Sequence, residues 1–303
     1  MLKISFLIVN YYTSVYLSEL ITSIYNYIKD YGFEVLIFDN SCNTKEKKII
    51  EELKLKYNQI QIFSEGNNIG FVKANNYLFE RAHGELIILL NPDTLLFDDS
   101  IKNIFNFIEL DNSVGVAGPM LLNYDRTYQT SFYKFPTLLA LIQEHILLKD
   151  NAYSYNTDIT QTQDCDVVKG ACLVFKKSFI KKDKIFDEAY EMYSEEVDFC
   201  KYARNNNKRV VYFPHTKIIH YGEKSSTQEN ISEYALQNYY RSKFIYFKKY
   251  FGKKKYYFAE KILFISLLEK IFGLFLFNKK RSAMLHFKVY IKLRKNVKNM
   301  SNM

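Results

Sequence analysis

Four apolar runs of strand length occupy residues 3–9, 34–38, 60–63 and 85–90, and each stops on polar side chains. Between them, residues 15–28, 44–57 and 72–82 space their apolar positions as helices do. Strands alternating with helices of this length require right-handed crossovers and a mostly parallel sheet covered on both faces. In such sheets ligands bind beyond the carboxyl ends of the strands. Those ends read Asn10-Tyr11-Tyr12, Asp39-Asn40-Ser41, residues 65–70 (EGNNIG) and Asn91-Pro92-Asp93, so four polar segments open onto one edge.

Beyond Asp111 the alternation loosens. Residues 114–117 and 121–123 read as short strands, 135–155 as helix and loop, and 167–175 as a strand around Gly170. A helix start carrying Glu195, Glu196 and Asp198 comes next, then a strand at 209–213 and the segment Lys217-Ile218-Ile219-His220. Acids in a first helical turn suit the helix dipole, which is their plain structural explanation. The start of the chain resembles a signal peptide in hydropathy alone, since Asn10 to Thr13 interrupt it without a small-residue cleavage site, and a first buried strand is the expectation. With 303 residues, 48% of them hydrophobic, the chain can bury a large core. Cys42, Cys165, Cys172 and Cys200 lack metal or disulfide spacing and are expected as small core residues of a protein from a reducing compartment.

The segments at the strand ends exclude several chemistries. Residues 10–15 contain no glycine, against a dinucleotide-binding turn, although Asp39 stands where such a fold places its ribose-binding acid. No Gly-x-x-x-x-Gly-Lys-Ser/Thr or Gly-x-Ser-x-Gly motif is present. Asp93 is the sharpest residue. Alone, Asn-Pro-Asp is turn chemistry. A hard divalent cation that keeps several waters and binds substrate phosphates needs only one or two protein ligands, and one Asp beside one His suffices for Mg²⁺ or Mn²⁺ on a diphosphate.

In order along the chain, residues 8–11 (IVNY), 38–41 (FDNS), 66–76 (GNNIGFVKANN), 90–94 (LNPDT), 168–172 (VKGAC), 195–200 (EEVDFC) and 211–214 with Ile219-His220 resemble the motif set of glycosyltransferase family 2, nearest its rhamnosyltransferase-like branch. The resemblance spans about residues 3–225. It implies the GT-A fold, which is α/β and Rossmann-like with a mostly parallel central sheet, and an inverting, metal-dependent transfer from a nucleotide-sugar. It also implies roles: Val9, Asn10, Tyr11, Asp39 and Asn40 at the base and ribose; Asn68, Gly70, Lys73 and Asn91 toward the nucleotide-sugar; Asp93 and His220 on the metal. Asn91 stands for the first acid of the family's Asp-x-Asp, a replacement common in this branch. Glu196 takes the place of the catalytic base, with one methylene more than the family's Asp and with Glu195 beside it. Lys169, Gly170 and Asp198 fall in the acceptor and sugar region. The branch favours dTDP-rhamnose or a UDP-sugar as donor, and a glycan or lipid-linked acceptor in bacterial O-antigen or capsule synthesis.

Charge divides the chain. Residues 232–303 hold 17 Lys+Arg against 3 Asp+Glu, whereas the whole chain is net +9 and residues 1–231 are net −5. The expected domains are therefore a catalytic domain at 1–230 and a C-terminal helical region at 231–303, basic, aromatic and membrane-associating. Its apolar stretch at 262–277 is divided by Glu269 and Lys270 into runs too short to span a bilayer, and so reads as a helix lying on an anionic membrane surface. A helix merely packed on the catalytic domain is the bland reading. No recognised nucleic-acid motif accompanies the basic residues, so nucleic acid is not expected as a partner. The implied location is cytoplasmic, on the inner face of the cytoplasmic membrane. An idle, membrane-peripheral nucleotide-binding or scaffold relative is the alternative that Asn91 and Glu196 keep open.

Overall fold

The computed structural model describes residues 3–149, 152–155, 157–222 and 233–301, with side chains as far as 295. The expected boundary at 230/231 lies outside the described residues. The chain divides into two compact units, one of residues 1–134, 155–188 and 195–225, the other of 135–154, 189–194 and 226–303.

Along the chain the first elements are β1 (Ile4–Asn10), α1 (Ser14–Tyr27), β2 (Phe33–Asp39), α2 (Thr44–Lys56), β3 (Ile60–Phe63), α3 (Phe71–Arg81) and β4 (Leu86–Leu90). There follow β5 (Thr94–Leu95), α4 (Ile101–Leu110), β6 (Val114–Leu122), β7 (Tyr128–Gln129), β8 (Phe132–Tyr133) and α5 (Leu138–His145). Next come β9 (Gln163–Asp164), β10 (Val167–Val168), β11 (Cys172–Lys176), α6 (Glu195–Asn205) and β12 (Arg209–His220). The last are α7 (Glu233–Tyr250), α8 (Lys253–Leu276) and α9 (Lys280–Ser301).

All residues of β1, β2 and β4 are buried, as strands covered on both faces must be. Their alternate side chains, Phe6, Ile8, Val35, Ile37 and Ile88, share one core with Leu17 and Ile24 of α1 and Phe105 of α4. The strand order is β3-β2-β1-β4-β11-β6-β12-β5, with β7 on β6 and β9 on β12. The β3, β2, β1 and β4 strands run parallel, β11 is antiparallel to both β4 and β6, and β6 is parallel to β12. From β1 the chain goes first to β2 on one side and later to β4 on the other. The order thus reverses at β1, and a crevice forms beyond its carboxyl end.

Three expectations change. Residues 114–122 form one nine-residue strand, because Gly118 to Met120 remain paired with β12. Residues 167–175 are two strands, since β10 pairs with β8 while β11 pairs with β4 and β6, and the chain crosses between them at Lys169 to Ala171. The strand expected at 209–213 runs on through the segment at 217–220 as one strand, with a register shift between Phe213 and Lys217. The cysteines also divide: Cys165, Cys172 and Cys200 are buried, but Cys42 is exposed in the turn after β2, with φ = +50°.

In the second unit, α5, α7 and α8 contribute to a polar cluster. The Lys243 Nζ donates to Glu144 Oε2 at 2.6 Å and lies 3.0 Å from His145 Nε2. Tyr153 and Tyr239 donate to the two Glu144 oxygens at 2.7 Å, and His145 Nδ1 meets Ser266 Oγ at 2.9 Å. Among the described residues no helix is long and apolar enough to cross a membrane.

Candidate active site

The ends of β1 and β2 are joined by side chains. Asn10 Nδ2 donates to Asp39 Oδ1 at 2.9 Å and to Ser41 Oγ at 3.1 Å, while Asn10 Oδ1 accepts from Thr13 Oγ1 at 2.9 Å. Ser41 adds two donors to Asp39 Oδ1, its backbone N–H at 3.0 Å and its hydroxyl. The three of these bonds that Asp39 accepts all fall on Oδ1, so Asp39 Oδ2 is left for another donor. Asn10 is consumed by the protein, with its carbonyl also accepting from Asn40 N at 2.9 Å. Asn40 Oδ1 in turn accepts from Ile69 N at 3.1 Å and ties the loop before α3 to β2. In that loop Asn68 Oδ1 accepts from Gly70 N at 2.8 Å, and Gly70 enters α3 at φ = +86°, a conformation open to glycine. Tyr11 and Lys73 are exposed, and Val9 is buried within β1.

Beyond β4, Asn91 donates its backbone N–H to Ala171 O at 3.0 Å, and its carbonyl accepts the Thr94 hydroxyl at 2.7 Å. This turn carries Asp93 inward. Because Thr94 pairs with His220 across β5 and β12, Asp93 Oδ1 meets His220 Nε2 at 3.5 Å, and both residues are buried. Gln129 decides how the imidazole is held. Its amide nitrogen donates to His220 O at 3.2 Å and Asn123 Oδ1 at 3.0 Å, which turns its oxygen toward His220 Nδ1 at 2.7 Å. An N–H is therefore required at Nδ1, and Nε2 is the ring nitrogen that faces the carboxylate oxygen, with its lone pair available in the neutral imidazole. Two electron-rich atoms so placed invite a cation between them, with Gln129 as the outer hydrogen bond that orients a ligating His. Among the described residues no group of three or more His, Cys, Asp and Glu side chains is placed to hold a metal ion. A cation held here must complete its shell with water or phosphate oxygens, as Mg²⁺ and Mn²⁺ do. The donor set fits such an ion.

A small pocket opens beside Asn91, lined also by Phe71, Asn75, Gly170, Glu195 and Glu196. The acids stand at the start of α6, entered through two left-handed residues, Tyr193 (φ = +68°) and Ser194 (φ = +64°). Non-glycine residues in that region are strained, and such strain gathers at functional sites. Tyr133 of β8 donates its hydroxyl to Glu196 Oε1 at 2.6 Å, so that oxygen is an acceptor. Glu196 Oε2 and Glu195 Oε2 are buried with no partner. Glu34 makes the contrast. Equally buried at the opposite ends of the strands, it accepts from Ser5 at 2.6 Å, His83 N at 2.6 Å and Gln61 at 3.2 Å, so both its oxygens are satisfied. The α6 pair leaves acceptors pointing at space instead. Burial, reinforced by the charge of Glu196, holds the Glu195 carboxyl well above the usual carboxylate range. Gly170 lies under Glu196, where a Cβ would sit 3.5 Å from the Glu196 Cβ. Lys169 is exposed and Asp198 is buried, and neither lines the pocket.

The fold thus gathers Asn91, Gly170, Glu195 and Glu196 in one pocket and pairs Asp93 with His220 two residues beyond Asn91. Tyr133, Gln129 and Asn75 were not legible as site residues. Tyr133 and Gln129 lie on two-residue strands without a periodic signal, and Asn75 lies within the motif at 66–76 without a separate one.

The sequence matches Glycosyl transferase family 2 across residues 5–182, more than half of the chain. The chain belongs to glycosyltransferase family 2. This family 2 glycosyltransferase is 23% identical over 263 residues to the low-salt glycan biosynthesis hexosyltransferase Agl10 of Haloferax volcanii, covering 82% of this chain and 77% of that one. It is 23% identical over 200 residues to rhamnosyltransferase WbbL of Escherichia coli K12, covering 63% of this chain and 74% of the relative. To the N-acetylglucosaminyl-diphospho-decaprenol L-rhamnosyltransferase of Mycobacterium tuberculosis it is 22% identical over 199 residues, covering 59% and 64%. The rhamnosyltransferase-like branch is thereby supported. Among solved structures, GalNAc-T7 with UDP, GalNAc and Mn²⁺ superposes with a TM-score of 0.60 at 15% identity, over 86% of this chain and 55% of that one. This chain thus spans about half the length of GalNAc-T7. The mannosyltransferase PcManGT of Pyrobaculum calidifontis, with GDP-Man and Mn²⁺, superposes with a TM-score of 0.59 at 13% identity, over 97% and 87%. These likenesses establish the GT-A fold.

Proposed function

We propose that this chain transfers a sugar from a nucleotide-sugar, with inversion at the anomeric carbon, to a glycan or lipid-linked acceptor during synthesis of a bacterial surface polysaccharide, at the inner face of the cytoplasmic membrane. The observation that carries the proposal is the pocket in which Glu196 Oε2 stands buried without a partner, beside Asn91 and the Asp93–His220 pair.

Asp39 Oδ2 takes a ribose hydroxyl, with Val9, Tyr11 and Asn40 around the base and Asn10 holding the Asp39 carboxylate in place. Asn68, Gly70 and Lys73 approach the nucleotide from the start of α3, and the Asn91 amide faces the sugar. Asp93 and His220 would hold Mg²⁺ or Mn²⁺, and such an ion would supply positive charge against the departing diphosphate. Glu196 Oε2 accepts the proton of the acceptor hydroxyl as that oxygen attacks C1. The bond from C1 to the diphosphate oxygen breaks on the opposite face, and its electron pair leaves with the nucleoside diphosphate. Glu195, kept neutral by burial, leaves Glu196 without a second full charge beside it and can donate to an acceptor oxygen. Lys169, Gly170 and Asp198 belong to the acceptor side. The relatives named as rhamnosyltransferases support dTDP-rhamnose as the first donor to try, with a UDP-sugar second. The name of the mycobacterial relative, with its diphospho-decaprenol acceptor, supports a lipid-linked acceptor.

The test is transfer from labelled donors by wild type, Asp93→Asn and Glu196→Gln. Each substitution is expected to lower turnover by roughly a hundredfold or more. Full rate in Glu196→Gln removes the base assignment. Donor binding without turnover in wild type, unchanged in both variants, makes the chain an idle nucleotide-binding relative.

A further inference from the structure

The face that the second unit leaves bare is apolar where a water-facing helix is polar. In α8, Tyr256, Ala259, Leu263 and Leu267 are buried, the expected inward stripe. The outward stripe is apolar as well. Ile265, Leu268, Phe272, Phe275 and Leu276 recur at helical spacing and are 45% to 68% exposed. Phe277, at the end of the helix, is 80% exposed, and Met284 and Phe287 on the first turns of α9 are half exposed. An exposed apolar stripe of this length marks a binding surface, and here it is covered by nothing among the described residues.

Charge identifies what covers it. Lys253, Lys254, Lys255 and Lys261 stand on the exposed side of α8, Lys279, Lys280 and Arg281 cross the turn into α9, and Lys288 continues along it, while Lys292 is paired with Glu233 of α7. Among the described residues the acids of this helix pair are Glu269, exposed, and Glu260, partly buried. Two copies apposed through such a face would set cation against cation. An anionic bilayer supplies acyl chains for the aromatic stripe and phosphates for the lysines beside it.

We infer that the α8–α9 helix pair docks in the plane of an anionic lipid surface, with the end around Phe272 to Arg281 inserted into the headgroup region. This deepens the membrane-side part of the proposed function, yet it rests on the face itself. Docking needs neither donor nor metal, so it stands if the transfer reaction fails its own test.

The experiment is co-sedimentation of the full chain with phosphatidylcholine vesicles, with and without phosphatidylglycerol, at low and high salt. Wild type is expected on the anionic vesicles and much less on the neutral ones, with binding weakened by salt. Replacing Lys279, Lys280 and Arg281 together by Gln is expected to weaken binding roughly a hundredfold, at about fivefold per cation. Replacing Phe272, Phe275, Leu276 and Phe277 together by Ser is expected to lose at least about tenfold, with unchanged thermal unfolding because these side chains are exposed. Wild type that ignores anionic vesicles, or a serine variant that binds as wild type does, overturns the inference. A wild-type dimer that the serine variant converts to monomer, without vesicle binding in either, also overturns it and gives the face to a second copy.

Discussion

Tyr133 donates to Glu196 Oε1 at 2.6 Å, and the bond sets the orientation of a side chain one methylene longer than the acid the family uses here. A free glutamate has several rotamers; one held at Oε1 presents Oε2 to the pocket in one direction. Tyr133→Phe is therefore expected to lower kcat by roughly tenfold to a hundredfold with little change in KM for donor. Loss confined to KM would leave the tyrosine a packing residue. Glu195 makes a second prediction, on stability. Its carboxyl is held above the ordinary value of 4.5 by burial first and by Glu196 second. Above pH 4.5 the native state keeps a proton that the unfolded chain has lost, so this group's stabilisation, full below that pH, is lost as pH rises through its native value. Glu195→Gln lacks this titration, and its stability relative to wild type is expected to grow with pH by up to ~1.4 kcal/mol per unit, read from urea unfolding between acid and neutral pH. A difference flat in pH would show that Glu195 is ionised in the native state. The acids themselves, with Asp93 and His220, were legible because motif order carries them. Their holders were not: Tyr133 meets Glu196 across 63 positions and Gln129 meets His220 across 91, and no local pattern encodes such a pairing.

Among the elements, α5 and α7 are joined by a partly buried ion pair with both carboxylate oxygens of Glu144 engaged. Burial opposes the charge of Glu144, but His145 and Lys243 together outweigh it and hold the carboxyl well below its usual range. Lys243 is itself lowered, by burial first. Lys243→Met leaves the partly buried Glu144 carboxylate with its cation gone and is expected to destabilise the protein by about 1–3 kcal/mol. Adding Glu144→Gln to Lys243→Met is expected to recover much of that loss, because the double variant buries no unpaired charge. Additive losses in denaturant unfolding would show that the pair is not coupled. No sequence pattern announced this cluster, since residues 135–155 carry little periodicity. The early elements were legible for the opposite reason. Strands covered on both faces and helices covered on one differ plainly in period, and β1 through β4 stand within a residue or two of expectation. The breaks after Asp111 were not, because whether residues 167–175 form one strand or two depends on which partner each half finds: β8 for β10, and β4 for β11.

For the whole molecule, the decisive property is that the candidate metal and nucleotide residues all belong to the first unit and are supplied by separate strands. Asp39 ends β2, Asp93 comes after β4 and His220 ends β12, so the constellation exists only while the sheet holds together. Ligand binding must then appear as stability of the folded sheet. A nucleoside diphosphate at about a hundred times its dissociation constant contributes ~2.7 kcal/mol to the native state. Spread over the unfolding entropy of a chain of 303 residues, that is a rise in Tm of about 4 °C. The expected result is a rise of this size with UDP or dTDP in the presence of Mn²⁺, and a much smaller one when the metal is chelated. Asp93→Asn should bring the two conditions together, since it removes one of the two protein ligands. Chelation isolates the metal, and the variant isolates the carboxylate. A shift that persists undiminished through both would mean that the diphosphate is held by the protein alone, and the Asp93–His220 pair would then be a buried hydrogen-bonding arrangement of the sheet edge instead of a metal site.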